Sequence, residues 1–399
     1  MKPCQWFLTA GASAVLVFSA AGVSTAPRAA YEVWAADQNA NVLYVLDPEG
    51  KVLRTMDGAT LGDAKRPHML WGVAGDEYVY TANTVSNSVS VLSNRDGRVK
   101  AVISGVGKLP HSAQPHPKDP TRIYVMNIGP QAAGPDGKPD RGETITEIVR
   151  TEGPKWEIKR FLDLKAEPVL ADSTRYPSRR PVCAGFSMDG RYMMTTLFNG
   201  GIAVVDLQEW KVVKGWDKNE IAQYGCGFAS VPGERVSVTG PTGSDLYVTA
   251  GDDKASWLYV FDIAREPRLV ATHDLSKSGQ DAHGVAIDRA RKALWIVHRV
   301  SSNVTIHPLA TIRRRDHRFD TIGFVGKTPD LVTISPDSRR AYITLRGPKP
   351  APTIPHSAVG ETPGVAIVDV RNRKLLNIVK LGDQQLADFH GVFIPAGQK

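Results

Sequence analysis

Two copies of one short motif hold the densest chemistry in this chain. Gln280 to Ile287 reads QDAHGVAI and Leu386 to Ile394 reads LADFHGVFI. Both contain Asp-x-His-Gly-Val, as Asp281, His283, Gly284 and Val285, and as Asp388, His390, Gly391 and Val392. A neutral imidazole is a metal ligand or a general base, and a nearby carboxylate can fix the ring through its second nitrogen. Comparable positions elsewhere read Pro67-His68, Pro110-His111, Val182-Cys183, Gly225-Cys226 and Pro329-Asp330. Each opens a short strand-like run. Counting back from the following turns puts His111, His283, Asp330 and His390 on one equivalent position. His68, Cys183 and Cys226 match only to within one residue, and in a strand one residue reverses the side faced.

Four imidazoles and one carboxylate converging on a point suit a transition metal such as copper or zinc. The expected ligands are His68, His111, His283, His390 and Asp330, with Asp281 and Asp388 orienting rings. Two other uses stay open. The ring could only hydrogen-bond neighbouring units, or His283, His390 or His111 could act as a general base without metal. Arg299 and Arg346 end corresponding runs in adjacent units and could clamp a carboxylate or phosphate of a substrate. Ordinary surface ion pairs are the alternative. Cys183 and Cys226 sit at corresponding places in adjacent units. A disulfide is the first reading, paired thiolates as soft metal ligands the second, and free thiols the third.

These residues are spaced by a repeat. Each unit carries a run such as YVYTAN (78–83), LYVTAG (246–251) or AYITLR (341–346), followed by one such as NSVSVLS (87–93) or GVAIVDV (364–370). Seven of each recur, with β-branched and aromatic residues between Gly, Asp and Asn turns. The first unit, from Tyr31, lacks its opening strand, and the final Asp-x-His-Gly-Val lacks any following ones. A closed ring accounts for both: an all-β, seven-bladed β-propeller of four-stranded blades over residues 31–395, sealed by the C-terminal strand. Tyr80-Thr81-Ala82-Asn83, Tyr124-Val125-Met126-Asn127 and Tyr247-Val248-Thr249, with ISPDSRRAYIT at 334–344, resemble the YVTN-type propeller repeats of bacterial exported and archaeal surface-layer proteins. That resemblance implies the propeller fold. It leaves function between binding modules and lactonase-like enzymes.

Loops of 129–142, 165–181 and 347–363 fall on the face where the histidines open the channel, and long loops on a rigid scaffold commonly carry binding. Residues 1–26 read as a signal peptide: Lys2, an apolar run from Trp6 to Val23, then small residues. A retained anchor is the alternative, and no membrane span is expected in the mature chain. The product is expected to be periplasmic or secreted. Lysine and arginine number 49 against 41 acidic residues. The basic clusters at Arg179-Arg180 and Arg313 to Arg315 lack interleaved aromatics, which argues against nucleic acid. The expected partners are a small molecule, a metal, or a periplasmic protein. Three functions follow: a metal- or ligand-binding module accessory to a periplasmic redox system, a lactonase- or lyase-like enzyme, or a structural interaction propeller.

Overall fold

The computed structural model describes residues 31–73, 76–130, 141–230, 244–351 and 358–395. The expected signal peptide lies outside these, as does most of the 129–142 loop and part of the 347–363 loop. The described residues form seven antiparallel sheets of four strands each. Blade 1 takes its inner strand, Phe389–Phe393, from the far end of the chain and its outer three from Val33–Asp37, Val42–Leu46 and Val52–Met56. Blades 2 to 7 begin with inner strands at Pro67–Trp71, Pro110–Pro115, Pro181–Phe186, Phe228–Ser230, Ala282–Asp288 and Pro329–Ile334. Closure is therefore by register: Trp34 faces Phe393, Ala35 faces Val392 and Asp37 faces Phe389.

Burial follows radius. The inner strand Pro110–Pro115 is buried throughout, whereas the outermost Arg268–Asp274 alternates exposed and half-buried residues. The repeated tyrosines fill the gaps between blades. Tyr80, Tyr124, Tyr247 and Tyr342 are fully or almost fully buried, and each hydroxyl finds a partner: Asp76, Glu147, Asp245 and the Pro48 carbonyl. A buried ring contributes area and its hydroxyl must be satisfied.

The threonines of the same runs have a different task. Thr249 donates to the carbonyl of His283 in the next blade, and Thr344 donates to that of His390 at 2.8 Å. The loop at 165–181 also serves packing, because Leu170 and Tyr176 are buried in a hydrophobic cluster with Leu162 and Met193. His298 bridges blades 5 and 6, with Ser256 Oγ at 3.1 Å and Thr305 Oγ1 at 2.8 Å.

Deleting residues from Leu386 onward should expose the edge of Val33–Asp37 and the apolar surface around Phe389, costing several kcal/mol of stability. A truncated protein that melts like the full chain would contradict the closure. The buried imidazole of His298 gives a pH test. Burial pushes it down to about 4, with Asp281 opposing. The unfolded chain, titrating near 6.5, then binds more protons between pH 6.5 and 4. Stability is full above 6.5 and falls as pH drops through that window, by up to about 3 kcal/mol from this residue. His298→Gln should lose that part of the slope of Tm against pH; an unchanged slope would refute it.

Candidate metal centre in the channel

A bulge at the start of the inner strands sets the site. Pairing is regular up to Pro67, Ala282, Pro329 and Phe389, then skips, so that 68–69, 283–284, 330–331 and 390–391 each bulge. In blade 3 the shift falls at His111 alone. A bulge re-aims a side chain that a regular strand would point elsewhere. His68, His111, His283, Asp330 and His390 all follow the last regularly paired residue. His68 thus belongs with the other four, contrary to the offset read from the turns. Cys183 is the second residue after Pro181, and Cys226 precedes the blade 5 inner strand.

The glycine of the motif is needed for close approach. A Cβ on Gly284 would stand 2.5 Å from the Asp330 carbonyl oxygen, and one on Gly391 2.8 Å from that of His68. Entry to four of these strands is through a left-handed, non-glycine residue: Arg66, Leu109, Asp281 and Thr328, with φ of 60°, 50°, 63° and 52°. Each such conformation costs about 1–3 kcal/mol, which the surrounding packing must offset.

Asp330 is the hub of a fully buried charge cluster. It accepts from His390 Nδ1 at 2.5 Å and from Arg346 Nη1 at 2.9 Å. Arg299 Nη1 lies 3.6 Å and His283 Nε2 3.4 Å from its other oxygen. Arg346 makes a forked pair with Asp388 at 2.6 and 2.8 Å, and Arg299 a forked pair with Asp281 at 2.7 and 3.0 Å. Burial works to raise the Asp330 carboxyl, but His390, Arg346 and His283 together hold it well below the usual carboxylate range.

His68, His111 and His283 adjoin this cluster in neutral form. Burial, then neighbouring charge, pushes His68 and His283 well below the ordinary imidazole value and His111 down to about 3. The His68 tautomer follows from its partners. Gln38 must give its amide N–H to Asp388 Oδ2, 2.8 Å away, which turns its oxygen to His68 Nδ1 at 2.7 Å. His68 Nδ1 therefore donates, and its Nε2 lone pair faces His111 Nε2 at 3.0 Å. Two imidazole nitrogens sharing a tetrahedral ion lie about 3.3 Å apart, given bonds of about 2.0–2.1 Å. The two ring planes cross at 67°, so their lone pairs can meet. His390 stacks on His68 at 15° with centroids 3.9 Å apart. Parallel planes cannot share an in-plane ion, so His390 joins only if its ring turns.

Three groups here have ligand atoms within 4.8 Å of one another and could hold a metal: His68, His111 and His390; His283, Asp330 and His390; His111, Cys183 and Cys226. His390 Nε2 and both His283 nitrogens are buried without a hydrogen-bond partner, which costs stability unless something binds there. Cys183 and Cys226 form a disulfide with Cα atoms 5.1 Å apart.

One placement differs from expectation. Arg299 and Arg346 are not a rim clamp; both are 0 % exposed and already paired with aspartates. Asp281 and Asp388 each hold one of those arginines in a forked pair, and Asp388 reaches His68 through Gln38. Asp330 hydrogen-bonds an imidazole directly, that of His390 at 2.5 Å. Gln38 escaped the sequence reading, since it follows Asp37 in an ordinary turn with no repeat counterpart to flag it.

At the opposite end of the inner strands lies a cavity of about 480 Å³, lined in part by Trp71, Phe186, Phe228 and Arg289. Among the described residues, no helix is long and apolar enough to cross a membrane.

No family model and no curated protein matches this chain. Solved structures do resemble it. A candidate 6-phosphogluconolactonase from Bacteroides uniformis is 14% identical, with a TM-score of 0.62, covering 91% of this chain and 99% of that one. A second from Bacteroides fragilis is 14% identical, with a TM-score of 0.60, covering 92% and 98%. Hydrazine synthase of Kuenenia stuttgartiensis is 17% identical, with a TM-score of 0.56, covering 79% and 89%. At such identities the likeness is one of fold.

Removing one partner of a buried ion pair leaves an uncompensated charge. Arg346→Met should destabilise by about 3–5 kcal/mol, against about 0–1 kcal/mol for Arg339→Met at the exposed pair with Asp337. Equal urea midpoints for the two variants would contradict the buried network.

Proposed function

We propose that this chain is an exported propeller that binds a transition metal, copper or zinc, at its channel histidines, as an accessory to a periplasmic redox system. The observation that carries the reading is the pair of crossed imidazoles, His68 and His111, with Nε2 atoms 3.0 Å apart. Their setting supports it. Neutral rings are the form that binds metal. His390, anchored by Asp330 at Nδ1, offers its unpartnered Nε2 as a third ligand when the ring pivots about that contact and leaves its stack on His68. The carboxylate–imidazole–metal arrangement is the usual way a ligand ring is oriented and made more basic. His283 is the remaining candidate ligand, beside Asp330. Export accords with the Cys183–Cys226 disulfide, which an oxidising compartment would preserve.

One observation favours a second reading. His390 and Asp330 form a buried imidazole–carboxylate pair with Nε2 unengaged, which is also the form of a general base. A lactonase- or lyase-like activity would then run without metal.

Elemental analysis of protein purified without added metal separates the two. Copper or zinc near one equivalent, lost in His68→Ala and His390→Ala while the fold persists, is the expected result. Metal-free protein that turns over lactones, with turnover lost in His390→Ala, would overturn it.

A further inference from the structure

Beside the histidines, a second set of side chains has different chemistry. Cys183 Sγ lies 3.7 Å from His111 Nδ1 on one side and 3.7 Å from Met69 Sδ on the other. Cys226 completes the group, its sulfur within 4.8 Å of the other two metal-capable atoms, Cys183 Sγ and the His111 nitrogen. Each belongs to a different blade: Met69 to blade 2, His111 to blade 3, Cys183 to blade 4 and Cys226 to the entry of blade 5. All four are at least nine-tenths buried. Around them are Ile128, Val182, Phe228 and Val248, an apolar shell.

We infer that, while its two cysteines are still thiols, the folding chain can bind Cu(I) here through Cys183, Cys226, His111 Nδ1 and the Met69 thioether. Two thiolates, a thioether and one imidazole form a soft ligand set, which favours Cu(I) over harder ions. The spacing agrees. A thiolate sulfur and an imidazole nitrogen on one ion lie about 3.6–3.8 Å apart, given metal bonds of about 2.3 and 2.0–2.1 Å. An apolar shell excludes water and protects the lower oxidation state.

The step balances without a redox partner. Cysteines leave translation as thiols; Cu(I) forms two Cu–thiolate bonds, the Met69 thioether and His111 Nδ1 add as neutral donors, two protons leave, and no electron is transferred. The disulfide is the competing outcome, reached when an oxidant takes two electrons and two protons from the same pair. The site therefore has two exclusive products, one cross-linking blades 4 and 5 and one holding copper. It goes beyond the histidine site and shares only His111 with it. With Nδ1 on copper, His111 keeps its Nε2 proton and donates to His68 along the existing 3.0 Å contact.

The full chain should be unfolded with a phosphine reductant, refolded without oxygen, and titrated with Cu(I) against bicinchoninate. X-ray absorption of the copper-loaded wild type should show about three Cu–S neighbours. The oxidised protein should show none. Cys226→Ser should lose the two-thiolate signature, and Met69→Leu should weaken Cu(I) binding. His68→Ala should retain sulfur-bound copper, which keeps this result independent of the histidine reading. Only nitrogen and oxygen neighbours in the reduced wild type, or loss of the copper in His68→Ala, would overturn the inference.

Discussion

The interior of this propeller depends on a single buried carboxylate. Asp330 ties blade 7 to His390 of blade 1 and accepts from Arg346, while Arg299 and His283 of blade 6 stand within 3.6 Å. A charge in such a place is tolerated only when paired and hydrogen-bonded. Arg346 and His390 meet that condition at one oxygen, Arg299 stands 3.6 Å from the other without a hydrogen bond, and Asp281 and Asp388 in turn hold the arginines. The cost of burying five ionised groups is large, and a smaller apolar core would be at least as stable. What the network supplies instead is position. It closes the ring at the junction of first and last blades and anchors His390 at Nδ1 beside the channel.

The same logic explains why one motif does several tasks. In Asp-x-His-Gly-Val the aspartate engages an arginine, the histidine enters the channel through a bulge, and the glycine admits the neighbouring backbone. Thr249 and Thr344 then take up the carbonyls that the bulges of His283 and His390 leave unpaired. Blades 5 and 7 thus complete the hydrogen bonding of blades 6 and 1. Side chains that share one axis but come from different strands are held by the whole ring, so their geometry is as rigid as the packing between blades.

Much of this was legible from residue types. The alternating runs, the seven repeats and the missing strand of the first unit gave the fold and its closure. Histidine at the mouth of the inner strands was legible too, because the repeat made the positions comparable. The bulges were not. A bulge adds a residue without altering composition, so His68 looked out of step with His283 and His390 though it is equivalent. The charge pairing was hidden for another reason. Asp281 lies next to His283 along the chain but bonds Arg299 across its blade, and sequence proximity carries no information about which partner wins. Arg299 and Arg346 read as surface residues because arginine is seldom fully buried. Gln38 and Met69 gave no signal, being set against the histidine cluster only by the folded ring.

The central claim is that His68 and His111 share an ion. X-ray diffraction recorded at the copper and zinc absorption edges, on protein purified without added metal, tests it most directly. The account predicts an anomalous peak about 2.0–2.2 Å from both Nε2 atoms, with the His390 ring turned toward it. No peak there, with the His68 to His111 hydrogen bond intact and His390 still stacked on His68, would contradict it.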